Sequence, residues 1–220
     1  MSREVVIPGE TIIAGEDYLP GDGVRREGNE LVASRFGLAE ISGRLVRIIP
    51  LSGVYIPRRG NIVIGRVIDI TFNGWSIDIN APYLAFLPII ECPRFFNRYD
   101  LAENADIGDM IVAKVLNIKT RGVDLTLKGR GLGKLEKGMI IAVNSNKVPR
   151  VIGKEGSMIN LIKEKSKCDI IVGQNGLIWL KGETIEDELF SEKAIKFVTE
   201  RPFVEGLTEK TKEWLEEKKK

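Results

Sequence analysis

Between Val148 and Gly182 the sequence reads VPRVIGKEGSMINLIKEKSKCDIIVGQNGLIWLKG. Its first half follows a helical period that stops at Gly153-Lys154-Glu155-Gly156 and resumes at Ser157. A glycine inside a helix disfavours it by roughly 1 kcal/mol relative to alanine, so a pair of them constrains the fold more than any other feature of the chain. Glycine opens positive φ and lets a second backbone come close. A phosphodiester chain is one such visitor and a packed neighbouring helix is the other. The residues alone leave both open.

The flanking periods set this break in a small α/β unit. MIIAVNS reads as a strand and KVPRVIG as a short helix. Beyond the glycines, Met158, Ile159 and Ile162 fall on one helical face, with Ser157 as the expected N-cap. CDIIVGQ and LIWLKG read as strands joined at Asn175-Gly176, a strong hairpin signal. TIEDELFSEKAIKFVTE is an amphipathic helix capped by Thr184. A last helix, LTEKTKEWLEEKKK, is expected to start at a Thr208 cap and ends in lysines that suit a helix C-terminus. The predicted order is strand, helix, glycine turn, helix, strand, strand, helix.

Upstream, the pattern is β throughout. Residues 1–58 carry short apolar alternations cut by Pro-Gly corners, by Gly28-Asn29 and by Ser42-Gly43, the pattern of a compact barrel or sandwich. Residues 59–130 are more regular, with strands predicted at 62–71, 74–79, 85–88, 109–118 and 122–127. Five strands in about 70 residues, with one longer insertion, is the count of an OB fold. Gly65 and Gly74 stand where a small barrel must coil tightly. The insertion ECPRFFNRYDLAENADIG is the least regular stretch and mixes Arg94 and Arg98 with Phe95, Phe96 and Tyr99.

Absences narrow the chemistry. The chain has no histidine, which removes the commonest general base and imidazole zinc sites. Its two cysteines, Cys92 and Cys168, stand far apart, which argues against a zinc ribbon and a disulfide framework and for two reduced, buried thiols. GRGLGKL is one residue short of a phosphate loop and has Leu135 where a hydroxyl should hold magnesium. Asp78, Asp100, Asp106 and Asp109 show no spacing that suggests convergence on a metal. The expectation is therefore a chain without catalytic residues, metal or cofactor. A net charge of +2, from 33 basic and 31 acidic side chains, neither demands nor excludes nucleic acid, since a local patch matters more than the total. MSREVVIPGE lacks the apolar core of an export signal, and no apolar run reaches the ~18 residues of a membrane span, so a cytoplasmic protein is expected.

With VIGKEGSMI at the centre of its strand and helix order, the segment 135–205 resembles a type I, eukaryotic-type KH domain, followed by a C-terminal helix at 206–220. In that family the G-x-x-G loop clamps the backbone of about four single-stranded nucleotides. The resemblance assigns RNA contact to Gly153, Lys154, Glu155 and Gly156, although Glu155 sets a carboxylate beside the expected phosphate path. The stretch GRVIDITFNGWSIDINAPYLAFLP is similar to the opening of an S1-type RNA-binding domain. There it implies Phe72 as a stacking aromatic, with Arg94, Arg98, Lys119 and Arg121 as phosphate partners. Trp75 is a second stacking candidate, with the barrel interior as its other place.

Over its whole length the chain is multidomain α+β: a small N-terminal β domain, an S1-type OB-fold barrel, then one KH domain. That order resembles the RNA-binding cap subunits of the archaeal exosome, including GLGK between the domains and KVPRVIG entering the loop. The resemblance implies a non-catalytic role in 3′-to-5′ RNA degradation and processing. Three copies would sit on a hexameric ring of phosphorolytic subunits, docked through residues 1–58, and pass single-stranded RNA into its central pore. A stand-alone single-stranded RNA-binding or translation-associated factor is the alternative.

Overall fold

The structure is a computed structural model that describes residues 4–201 and 206–218. Its contacts divide the chain into two units, residues 1–53 and 54–220.

The first unit holds the strands β1 (Glu4–Val6), β2 (Thr11–Ala14), β3 (Leu19–Pro20), β4 (Val24–Glu27), β5 (Glu30–Ala33), β6 (Gly37–Ser42) and β7 (Leu45–Pro50). They form two sheets, ordered β1-β6-β7-β3 and β2-β5-β4. Val6, Ala39 and Ile48 of the first sheet meet Ala33, Ile12 and Val24 of the second in one apolar core. This is a small sandwich, and its hairpins turn at the Gly28-Asn29 and Gly43 signals.

The second unit begins earlier than the expected boundary at 58. Tyr55 is buried in the barrel core, and its hydroxyl donates to Asn61 Oδ1 at 2.8 Å. The barrel strands are β8 (Ile62–Thr71), β9 (Gly74–Asp78), β10 (Ala85–Pro88), β11 (Met110–Lys119) and β12 (Gly122–Thr126). They run in the order β12-β10-β9-β8-β11, and β11 pairs with β12 to close the barrel. β10 and β12 are parallel and the other neighbours antiparallel. Gly65 permits the tight coil, since a Cβ there would lie 2.4 Å from Ile77 Cγ2. A short β13 (Gly133–Lys134) extends the sheet alongside β11. The insertion between β10 and β11 contains α1 (Leu101–Asn104), capped by Asp100.

The third layer follows the predicted order: β14 (Met139–Ala142), α2 (Val148–Ile152), α3 (Ser157–Ser166), β15 (Asp169–Val172), β16 (Leu177–Lys181) and α4 (Ile185–Glu200). Its antiparallel sheet is ordered β14-β16-β15. Helix α5 (Leu207–Lys218) packs Leu207 and Leu215 into the same core, and Trp214 stacks against Phe190 and Phe197.

Two capping expectations fail. Ser157 already has helical angles (φ −56°, ψ −42°), and Gly156 is the N-cap of α3. A side-chain cap needs an extended residue before the helix. Thr208 lies inside α5 rather than before it. Thr184 does cap α4, accepting from the Asp187 amide at 3.2 Å.

Candidate nucleic-acid interface

The glycine turn is a backbone device. Gly153 sits at φ +74° and Gly156 at φ +81°, with Glu155 between them also left-handed at φ +54°. Gly153 has no room for a side chain, because a Cβ would stand 2.7 Å from the Met158 amide nitrogen. It therefore brings α2 close to α3. At Gly156 the nearest atom to an added Cβ is 3.5 Å away, so there the dihedral alone calls for glycine. Lys154 and Glu155 at the tip are exposed, and among the described residues neither side chain has a hydrogen-bond or ion-pair partner. The N-terminus of the ten-residue α3 opens onto this turn, with its first amide, Ser157 N–H, donated to the Lys154 carbonyl and no side chain capping it.

The barrel separates its candidate residues between two ends. Strand directions put the β8–β9 turn and the β10–β11 insertion at one end, and the β11–β12 turn at the other. Phe72, 95% exposed, shares the first end with the exposed Arg94 and Arg98. Lys119 and Arg121 lie at the opposite end, so they do not join Phe72 in one cluster. There Lys119 is paired to Asp124 at 2.8 Å, while Arg121 is exposed. These two border an open cleft of about 550 Å³ whose lining includes Ser76, Phe86 and Asp124. Phe86 was missed in the sequence, although its place between the buried Ala85 and Leu87 of β10 marks it as outward-facing.

Trp75 takes the interior place. It is wholly buried, donates Nε1–H to the Ala105 carbonyl at 2.9 Å and meets the Phe96 ring edge-on at 6.1 Å. It offers no face to a base.

The Gly173–Gly176 turn does more than join β15 to β16. Asn175, 1% exposed, donates to the carbonyls of Ile64 at 2.7 Å and Ile79 at 2.8 Å, and accepts from the Ile64 amide at 3.2 Å. Beside it the Gln174 amide donates to the Ile62 carbonyl, and the Ile62 amide donates to Gln174 Oε1 at 3.0 Å. Trp179 packs between Ile64 and Val112 of the barrel in the seam above. The glycine turn and the barrel are thus carried on one body.

The KH domain family profile matches residues 138–186. A solved structure of a protein named provisionally as an exosome complex RNA-binding protein superposes with a TM-score of 0.67. It is 36% identical and covers 76% of this chain and 98% of its own. Exosome complex component Rrp4 of Methanothermobacter thermautotrophicus is 41% identical over 97% of this chain and 68% of its own length. The Rrp4 components of Thermococcus kodakarensis and Picrophilus torridus are 42% and 41% identical, over 97% and 99% of this chain and 85% and 94% of theirs. The chain belongs to the Rrp4 family of exosome complex components.

In this Rrp4-family chain the carboxylates noted in the sequence have structural partners. Asp100 caps α1, and Asp78 accepts from the Asn80 amide at 2.9 Å. Asp109 bonds Lys134 and the Asp106 amide. Partial burial pushes the Asp109 carboxyl up, but these two partners outweigh it and hold it below the usual range. Cys92 and Cys168 are free and buried, and burial pushes the Cys92 thiol up to about 12. No helix among the described residues is long and apolar enough to cross a membrane.

Proposed function

We propose that this chain is a non-catalytic, RNA-binding cap subunit of a cytoplasmic exosome. Three copies sit on a hexameric ring of phosphorolytic subunits. The N-terminal sandwich docks on the ring, while the barrel and the KH domain hold single-stranded RNA and direct its 3′ end into the central pore. Membership of the Rrp4 family supports the assembly. The observation that carries the RNA role is the exposed Gly153–Gly156 turn at the head of α3, rigidly joined to a barrel with exposed aromatics and arginines. Each contact is weak alone. Sites fixed on one body raise each other's effective concentration, so a chain of net charge +2 can still hold RNA usefully.

The test combines purified protein, labelled single-stranded RNA and ring subunits. The chain alone is expected to bind RNA without shortening it in the presence of magnesium, manganese or phosphate. With ring subunits it is expected to co-sediment and to increase phosphorolysis. Deleting residues 1–53 should abolish co-sedimentation. Reproducible 3′ trimming by the chain alone, or a complex that survives the deletion, would refute this assignment.

A further inference from the structure

At the Phe72 end of the barrel, the insertion and the segment leading to the KH domain enclose a pocket of about 340 Å³. Pro93, Phe95, Phe96 and Asn104 form one wall and Leu132 and Lys134 the other. Phe96 is anchored by its edge-on contact with the buried Trp75. Phe95 is not anchored in this way. It is 84% exposed, with its ring tilted 51° to Phe96 at 5.4 Å between centroids. A large aromatic open to solvent beside a fixed ring can stack a planar ligand group.

The polar surroundings bear on what fills it. No carboxylate lines the pocket. The nearby acids have partners: Glu91 bonds Lys128, Asp100 caps α1, Glu103 bonds Asn97, and Asp109 bonds Lys134 on the pocket's own wall. Asn104 spends its amide on the Asn97 and Asp100 carbonyls and its oxygen on the Asn97 amide. In contrast, Arg94, Arg98 and Arg130, which flank the lining residues in the chain, are exposed and have no ion pair among the described residues. Rings open to stacking and unpaired guanidiniums make up a sequence-tolerant grip on single-stranded nucleic acid. Lys134 keeps two further N–H donors beyond its bond to Asp109.

We infer that this pocket is a nucleotide subsite of the RNA path, in which Phe95 stacks a base while Arg94, Arg98 and Arg130 hold the adjoining phosphates. The inference rests on the RNA-binding role proposed above and adds to it a site apart from both the glycine turn and the Phe86 cleft.

The test is a fluorescence-anisotropy titration of labelled oligoadenylate with the full chain and its Phe95→Ala and Phe95→Trp variants. Loss of one stacked base should weaken Phe95→Ala about five- to a hundredfold. Phe95→Trp should retain wild-type affinity, and the indole it introduces should be quenched on titration with RNA. Because Phe95 is exposed, all three proteins should melt alike. If wild type binds but Phe95→Ala binds equally well, or the introduced indole is not quenched, the pocket is not a base site and the broader RNA role stands. If Phe95→Ala instead loses only its affinity for ring subunits, the pocket is a protein contact and the inference fails. If wild type binds no RNA, alone or on the ring, both readings fall together.

Discussion

Replacing Asn175 should loosen the barrel from the KH domain without touching either hydrophobic core. The side chain is 1% exposed and serves three backbone groups: the Ile64 carbonyl, the Ile79 carbonyl and the Ile64 amide. Asn175→Ala strands all three, and each buried group left unpaired costs about 1–3 kcal/mol. Water entering the vacated volume restores part of that, so a net loss of about 3–5 kcal/mol is expected. At about 2–4 °C per kcal/mol for a chain of this size, the melting temperature should fall by roughly 10 °C. Calorimetry of the full chain should show the second unit's transition broadening or splitting, and amide exchange should accelerate at Ile62 and Ile64.

Asn175→Asp sharpens the test. A carboxylate keeps the bond from the Ile64 amide but turns acceptors toward two carbonyls, so its folded pKa must rise above the unfolded value. A group with a raised folded pKa is least harmful below the unfolded value, about 4, and its penalty grows as pH rises through the folded value. The Asp variant should therefore approach wild type toward pH 4 and diverge from it at pH 7. An Asn175→Ala protein that melts within 2 °C of wild type, as a rough bound on measurement, with unchanged exchange at Ile64 would refute this account of the joint.

Other outcomes can be stated more briefly. Lys154→Glu should weaken RNA binding about equally for all sequences and flatten its salt dependence, and Glu155→Lys should do the reverse. If both leave affinity and salt slope at wild-type values in the same titration, the glycine turn does not contact phosphate. Gly156→Asp should weaken binding more than Lys154→Glu while lowering stability only modestly, because the strain comes from φ +81° and not from a clash. Cys92 and Cys168 should resist a thiol reagent at pH 8 and both react in denaturant; rapid native labelling would contradict their burial. The hydrogen bond from Lys128 at 3.0 Å, helped by Thr126, holds the Glu91 carboxyl below its ordinary value. A depressed carboxyl contributes stability above its unfolded pKa and loses it as pH falls through the folded one. Lys128→Met should therefore cost at most about 1 kcal/mol at pH 7, since the pair is partly exposed, and progressively less as the carboxyl protonates in acid. Melts at pH 7 and in acid would show it.

Local order was legible in the sequence, and the long-range joints were not. The predicted barrel strands match to within a residue because turn signals bound them and burial on one face writes a period of two, except where β8 and β11 are also covered on the outside at Ile64 and Val112. The KH order was readable for the same reason, with the glycine pair as punctuation. Asn175-Gly176 announced a hairpin, but its partners Ile64 and Ile79 lie 111 and 96 residues away. A side chain bonding to backbone imposes no residue type on the far side, so nothing at those positions betrays the contact. Ser157 has the composition of a cap without its position, because the left-handed Gly156 turns the chain directly into the helix. The exposure of Phe95 beside the tethered Phe96 depends on how the insertion folds over the barrel end, which no periodicity encodes.

The joint at Asn175 also bears on how such a chain can diverge. Its bonds are addressed to main-chain groups of Ile62, Ile64 and Ile79. Drift in the barrel's side chains away from the Trp179 seam can therefore proceed without renegotiating these bonds, provided the backbone path survives. The burden of inheritance falls on one partner: positions 174 and 175 are constrained, while the residues they grip need not change in step with them. Searches for correlated substitutions would overlook these bonds, though not the apolar seam of Trp179 with Ile64 and Val112, and a graft of a foreign barrel onto this KH domain should keep its alignment if the strand geometry at those positions and that seam are preserved.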